Sequence, residues 1–325
     1  MRDRSTPRSP LSGRFSPLRY PGGKGKLARF VAEIVRQNRL YDGFYVEPYA
    51  GGGAVAWELL ITGMVRRVHV NDLSRPIYAF WRSVLDHTDE LARLINDTAL
   101  DIDTWKKMKR TFSTPDEHDD LSLGFATFYL NRTNRSGILN GGPIGGHLQE
   151  GAWGIDARYN RAELIVRVER IAKLRKRITL TNIDAVTLLN ERRRWPKRTL
   201  IYLDPPYFTK GRDLYYDYYD QASHAKVAEA VRRMEGAQWI VSYDDVGPIH
   251  ALYDQETWLQ YRIGYSARNR LQGREAMFFS SGLQVPATQG SMIEIDRCCL
   301  RVEPTYHAPR LVQVETDPTR ACAGV

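Results

Sequence analysis

The chain is poor in cysteine and has no long apolar run. Only Cys298, Cys299 and Cys322 occur among its 325 residues. Three cysteines cannot all pair, and none stands in a Cys-x-x-Cys arrangement, so neither a disulfide scaffold nor a zinc ribbon is expected. The adjacent Cys298 and Cys299 read as ordinary packing in or beside a strand. No segment reaches the ~18 consecutive apolar residues of a membrane-spanning helix. Met1 to Pro17 carry charge, serine and proline but no apolar centre, which is not the pattern of a secretory signal. Pro7, Pro10 and Pro17 also oppose the amphipathic helix of a mitochondrial leader. The seven histidines show no ligand spacing, so no metal is expected. A cytoplasmic, reducing location fits this set of absences.

What is present begins with charge. Lys and Arg number 47 against 38 Asp and Glu, a net +9. Such an excess suits a polyanionic partner such as nucleic acid or an anionic membrane, and it equally suits plain solubility. Hydrophobic residues at 42% and aromatics at 11% are enough for a globular core, in one large domain or two smaller ones.

The periodicities alternate between strand and helix. Residues 1–17 read as a disordered basic tail. Leu27, Phe30, Val31, Ile34 and Val35 mark one face of a helix. Residues 43–47 read as a buried strand, which runs into Pro48-Tyr-Ala-Gly-Gly-Gly53 and a helical pattern over 54–62. Residues 67–70 form a second short strand ending at Asn71-Asp72. Strand, Gly-rich turn, helix, strand and acidic residue make one βαβ unit with a parallel pair. Residues 74–130 look mostly helical, and 131–158 turn polar and Gly-rich without helical period. A helix over 159–173 and strands near 177–180 and 198–203 follow. Then come helix 222–235, strand 238–242 and helix 247–254. Strands over 257–266, 275–281 and 291–297 suggest an antiparallel finish, and 301–325 reads as a tail. The expected class is α/β, with a mostly parallel sheet. Ligands of such sheets bind beyond the carboxyl ends of strands, and both unusual segments, 47–53 and 204–207, stand at such ends.

Each segment suggests a chemistry. Three glycines leaving a strand let a ligand approach the backbone ahead of a helix N-terminus, or simply let helix and strand pack closely. The run is not GxGxxG. Neither it nor Pro21-Gly-Gly-Lys-Gly-Lys26 has the spacing and Lys-Ser/Thr ending of a nucleotide phosphate loop. Asp72 follows the turn by about 20 residues, where an acidic side chain commonly accepts from ribose hydroxyls. It could equally cap the helix from 74, as could Ser74. Asp204-Pro-Pro-Tyr207 is stiff. It offers a carboxylate, carbonyls whose residues lack competing N–H groups, and one aromatic face. That set suits a planar group bearing an NH₂. A rigid turn with a buried tyrosine is the plainer alternative.

At these residues the chain resembles the Dam-like (D12) class of S-adenosylmethionine-dependent DNA adenine-N6 methyltransferases, over about residues 18–297. Leu18-Arg-Tyr-Pro-Gly-Gly-Lys24 resembles that family's N-terminal cofactor motif, and Glu47-Pro-Tyr-Ala-Gly-Gly-Gly53 with Asn71-Asp72 its Gly-rich motif. Arg132-Thr-Asn-Arg-Ser-Gly-Ile-Leu-Asn140 resembles its target-recognition hairpin, although Gly141-Gly142 precede Pro143 as an insertion. Asp204-Pro-Pro-Tyr207 is its catalytic motif.

The resemblance implies a Rossmann-like methyltransferase sheet with antiparallel C-terminal strands. Its catalytic domain would span 18–100 and 159–300, interrupted by a mainly helical target-recognition insertion at 101–158. It implies S-adenosyl-L-methionine as cofactor. Tyr20 and Lys24 would touch its methionine part, Tyr49, Ala50 and Gly51 would pass beneath it, Asp72 would hold the ribose, Ile183 and Asp184 would lie near its adenine, and Glu47, Pro48 and Asp204 would also line its site. Asp204 and the Pro205 carbonyl would hold the target amino group, with Pro206 stiffening the turn and Tyr207 stacked on a flipped base. Arg132, Asn134, Arg135 and Asn140 carry the side chains that read guanine and adenine in a major groove, and Arg268, Arg270 and Arg274 suit phosphates. The expected partner is double-stranded DNA, met by a monomer in a bacterial or phage-encoded, nucleoid-associated setting such as restriction-modification. Cytosine N4 or RNA adenine as target, or a catalytically silent DNA-binding protein, remain alternatives at this point.

Overall fold

The computed structural model describes residues 15–19, 27–191, 194–209, 220–263, 274–288 and 292–298. Tyr20, Lys24, Arg268, Arg270, the tyrosines of 215–219 and the tail 301–325 lie outside these described residues.

One eight-stranded sheet organises the chain. The strands are β1 (Gly43–Glu47), β2 (Val65–Asn71), β3 (Ile178–Thr181), β4 (Arg194–Leu203), β5 (Glu235–Asp244), β6 (Thr257–Ile263), β7 (Glu275–Phe279) and β8 (Met292–Cys298). Their spatial order is β3-β2-β1-β4-β5-β7-β6-β8. The first five are parallel neighbours, and β7 and β8 run against the rest. The expected mostly parallel sheet with antiparallel C-terminal strands is therefore present. The chain leaves β1 outward through β2 and β3, then returns to the other side of β1 as β4. The strand order thus reverses between β1 and β4, and the crevice beyond their carboxyl ends is where such sheets bind ligands.

Alternation along the strands fills two layers. Tyr45, Leu200 and Tyr202 join an apolar cluster on one face, while Val46, Ile201 and Leu203 join a second cluster on the other. Strands buried on both faces read as near-continuous apolar runs, which is why β4 stood out in the sequence. The helices are α1 (Ala28–Gln37), α2 (Ala54–Ile61), α3 (Arg75–Asp86), α4 (Thr88–Asp97), α5 (Ile102–Ser113), α6 (Asp120–Thr133), α7 (Arg161–Ala172), α8 (Ala185–Glu191), α9 (Gln221–Arg232) and α10 (Gly247–Leu252). Asp101, Asp119, Asn160 and Asp220 start α5, α6, α7 and α9 by accepting a backbone N–H from the first turn. Such a cap contributes about 1 kcal/mol.

Two sequence boundaries move. Residues 15–17 do not continue the basic tail: Ser16 is buried, and its hydroxyl bonds to the Gly52 carbonyl. Helix α6 runs through Thr133, so Arg132 belongs to a helix rather than a polar loop. The helix is buried on all sides from Leu123 to Thr133 because α3, α4 and α5 pack around it, α3 most closely. A Cβ on Gly124 would stand 2.5 Å from the Ala79 carbonyl oxygen. Phe125, Phe128, Tyr129 and Leu130 consequently share one apolar cluster with α1–α4 and the sheet.

Candidate active site

The Gly-rich turn after β1 is held by side chains arriving from several elements. The Ala50 N–H donates to the Asn71 carbonyl at 2.9 Å, and the Gly51 N–H donates to Asp72 Oδ2 at 2.7 Å. The Trp81 indole donates to the Gly51 carbonyl at 2.8 Å, and the Ser16 hydroxyl to the Gly52 carbonyl at 2.6 Å. Gly51 and Gly53 have φ of 48° and 56°, a region that favours glycine. At Gly53 packing adds its own demand, since a Cβ would lie 2.5 Å from the Trp57 indole nitrogen. Glu47 ends β1 buried and accepts the Tyr45 hydroxyl at 2.8 Å.

Asn71 was named with the Gly-rich motif but given no role of its own. Its amide donates to the carbonyls of Pro48 and Ile183, both at 2.9 Å. Its Oδ1 accepts from the Thr181 hydroxyl at 2.7 Å and the Ile183 N–H at 3.1 Å. One buried carboxamide therefore ties the ends of β1, β2 and β3 together, bringing Ile183 beside the Gly-rich motif. A polar residue ending an otherwise buried strand was the available signal. Asp72 accepts from the Ser74 N–H at 2.9 Å as well as from Gly51; Ser74 stands at the N-cap of α3, and neither side chain caps the first turn of that helix. Asp184 does cap α8, accepting from the Thr187 N–H at 2.9 Å.

Across the switch point, β4 ends at Leu203 and Asp204 follows it. The Ser242 hydroxyl donates to Asp204 Oδ1 at 2.9 Å and stands 3.0 Å from the Tyr202 hydroxyl. The Tyr207 hydroxyl donates to Glu275 Oε1 at 3.0 Å, and the Tyr261 hydroxyl to Oε2 of the same buried carboxylate at 2.8 Å. Beyond it, the N–H groups of Phe208 and Thr209 donate to the two oxygens of Asp244 at 2.8 and 2.9 Å. Ser242, Asp244 and Glu275 were not singled out in the sequence. They come from β5 and β7, and nothing in their local pattern says which strand lies beside β4. Tyr45 reports the enclosure of this corner. Burial first, then the charge and hydrogen bond of Glu47, and then Tyr202 and Asp204, push its hydroxyl well above the usual phenol range.

The recognition segment is corrected at two positions. Asn134 was expected to read a base, but it is fully buried. Its Oδ1 accepts from the Trp105 indole at 2.7 Å, and its amide donates to the carbonyls of Ile138 and Leu139 at 2.8 and 3.1 Å. Arg132 is buried too, donating from Nε to the Pro17 carbonyl at 2.6 Å. Burial, followed by Arg167 and Arg19 nearby, pushes its guanidinium down to about 9. The physical reason differs for the two: Arg132 lies on the buried last turn of α6, and Asn134, extended at the C-cap, turns its carboxamide onto Trp105. Arg135 and Asn140 are exposed, as is Arg274 before β7. Lys109 of α5 reaches the Leu139 carbonyl at 3.2 Å, which places that helix against the segment.

Among the described residues, no helix is long and apolar enough to cross a membrane, and no three His, Cys, Asp or Glu side chains are placed to hold a metal ion. In sequence, no curated protein matches the chain. Among solved structures it is similar to a putative methyltransferase, yhhF, from Escherichia coli, at 11% identity over 81% of this chain and 90% of that one, with a TM-score of 0.33. Another is an rRNA methyltransferase, aviRa, from Streptomyces viridochromogenes, at 12% identity over 76% of this chain and 82% of that one, with a TM-score of 0.30. The model of the D12 class N6 adenine-specific DNA methyltransferases matches residues 20–263, well over half of the chain, which therefore belongs to that family.

Proposed function

We propose that this methyltransferase moves a methyl group from S-adenosyl-L-methionine to N6 of an adenine flipped out of duplex DNA. The observation that carries the reading is the Ser242–Asp204 bond, which orients a carboxylate at the end of β4, next to the Gly-rich turn at the end of β1. Adenine N6 is a weak nucleophile because its lone pair is delocalised into the ring. A carboxylate and the Pro205 carbonyl accepting its two hydrogens favour a more pyramidal nitrogen with its lone pair available. Alignment then supplies much of the acceleration. Pro206 keeps the turn stiff, and the Tyr207 ring, anchored through its hydroxyl to Glu275, is the stacking face for the base.

The donor set fits the cofactor. Asp72 is held in one orientation by two backbone N–H groups, and a carboxylate offers about four acceptor positions, so ribose hydroxyls suit it. Glu47, Pro48, Tyr49, Ala50 and Gly51 would lie along it, Ile183 and Asp184 would flank its adenine, and Tyr20 and Lys24 would meet its methionine end. When bound, the cofactor supplies an electrophilic sulfonium methyl. On the DNA side the exposed Arg135 and Asn140 take base contacts, and Arg274, with Arg268 and Arg270, takes phosphates. Arg132 and Asn134 are no longer assigned to bases.

The test is transfer of labelled methyl to duplex DNA, followed by nucleoside mass spectrometry. N6-methyldeoxyadenosine is expected. Transfer to no duplex, or product only as N4-methyldeoxycytidine, overturns the reading.

A further inference from the structure

Residues 16–19 run between the Gly-rich turn and the recognition segment and are bonded to both. On one side the Ser16 hydroxyl donates to the Gly52 carbonyl at 2.6 Å and accepts the Leu18 N–H at 3.2 Å. On the other, Asn131 takes both backbone groups of Arg19. Its Oδ1 accepts the Arg19 N–H at 2.7 Å, and its amide donates to the Arg19 carbonyl at 2.7 Å and to the Gly137 carbonyl at 2.9 Å. Asn131 is only 1% exposed. A carboxamide buried to that degree is costly unless its groups are paired, so its three bonds hold one specific arrangement. Nearby, Arg132 donates to the Pro17 carbonyl, Arg167 to the Ser16 carbonyl at 2.9 Å and Arg19 to the Asn134 carbonyl at 3.3 Å.

The contact is also steric. Gly137 has φ of 77°, and a Cβ there would lie 2.8 Å from the Arg19 carbonyl oxygen. The loop bearing the exposed Arg135 therefore rests against Arg19, the second residue of the Leu18–Lys24 segment that resembles the N-terminal cofactor motif. Moving that loop moves Arg19, and moving residues 16–19 disturbs Gly52.

We propose that residues 16–19 form a strap that couples duplex binding to cofactor binding, with Asn131 as the positioning residue at its centre. The proposal rests on the methyltransferase reading above. Both ligands require the strap in one place, so the first to bind spares the second the cost of ordering it, and the coupling is positive. Linkage makes it reciprocal: the factor by which duplex tightens cofactor equals the factor by which cofactor tightens duplex.

The experiment uses the full chain and S-adenosylhomocysteine, which binds without turnover. Its affinity is measured by calorimetry with and without a duplex carrying the sequence that the expressed protein methylates in a host genome. The unaltered protein should bind it about fivefold or more tightly with duplex present. Asn131→Ala should bring that factor close to one while each ligand still binds alone. Gly137→Ala approaches the same contact from the loop side, leaves Asn131 intact and should act likewise; it decides the matter if Asn131→Ala does not fold. Full coupling in both variants, or none in the unaltered protein while both ligands bind, overturns the strap. Failure of the unaltered protein to bind S-adenosylhomocysteine at all overturns the methyltransferase reading itself, and the strap with it.

Discussion

Ser242 gives its single hydroxyl hydrogen to Oδ1 of Asp204, at 2.9 Å. An ionised carboxylate only accepts, so the bond between Ser242 and Tyr202 at 3.0 Å must run from the tyrosine to the serine. A chain from Tyr202 through Ser242 thus sets the rotation of the carboxylate proposed to clamp the target amino group. Hydrogen bonds to charged groups contribute about 1.5–3 kcal/mol. Ser242→Ala should therefore lower kcat about 10- to 100-fold while leaving the dissociation constant for S-adenosylhomocysteine near its original value. Steady-state kinetics and calorimetry measure the two. Unchanged kcat would mean that the orientation of Asp204 does not matter to the step.

Asp204→Ala removes the clamp itself. Transfer should be lost while duplex binding, followed by fluorescence anisotropy, persists. The separation is expected because phosphate contacts dominate affinity for DNA and Asp204 makes none. A variant with near-normal turnover would refute the amino-group clamp.

The two chemical motifs were legible in the sequence because each depends on local features: glycines after a strand, prolines after a strand, an acidic residue at the next strand end. The sheet was legible for the same reason, down to the apolar run of β4. The supporting residues were not. Ser242 and Glu275 matter only because β5 and β7 lie on the far side of β4, which is a fact of strand order rather than of local pattern. Arg132 and Asn134 misled because residue type was read without direction. Arg132 lies on the buried last turn of α6, and Asn134 stands extended at its C-cap with its carboxamide on Trp105.

Tyr207 carries two separable features, a ring and a hydroxyl. Tyr207→Phe keeps the ring but removes the bond to Glu275, leaving Tyr261 as the hydroxyl donor on that carboxylate among the bonds described here. A loss in kcat/KM of about fivefold is expected, in line with a net hydrogen-bond contribution of about 1 kcal/mol. Tyr207→Ala should cost far more, because stacking on an aromatic ring is worth about 1–3 kcal/mol per base in addition. If both variants lost the same activity, the ring would have no stacking role.

The recognition segment separates a stability residue from a contact residue. Asn134 satisfies the Trp105 indole and two backbone carbonyls from a fully buried position. Asn134→Ala would strand the buried Trp105 indole, at about 1–3 kcal/mol, while the Ile138 and Leu139 carbonyls keep the Gly141 N–H and the Lys109 ammonium. It should lower the melting temperature by several degrees without changing which sequence is methylated. Arg135 is exposed four residues short of Leu139, on the loop that Lys109 braces. Arg135→Ala should leave the melting temperature nearly unchanged. If its guanidinium reads a base, discrimination at one position should fall by about 1–3 kcal/mol, seen as relaxed methylation sites in sequencing. If it meets a phosphate, affinity should fall evenly across sequences and the salt dependence should weaken by about one counterion. The two variants exchange their effects only if the side chains exchange places, with Asn134 facing the DNA, so the pair of measurements decides which face of the segment is presented to the duplex.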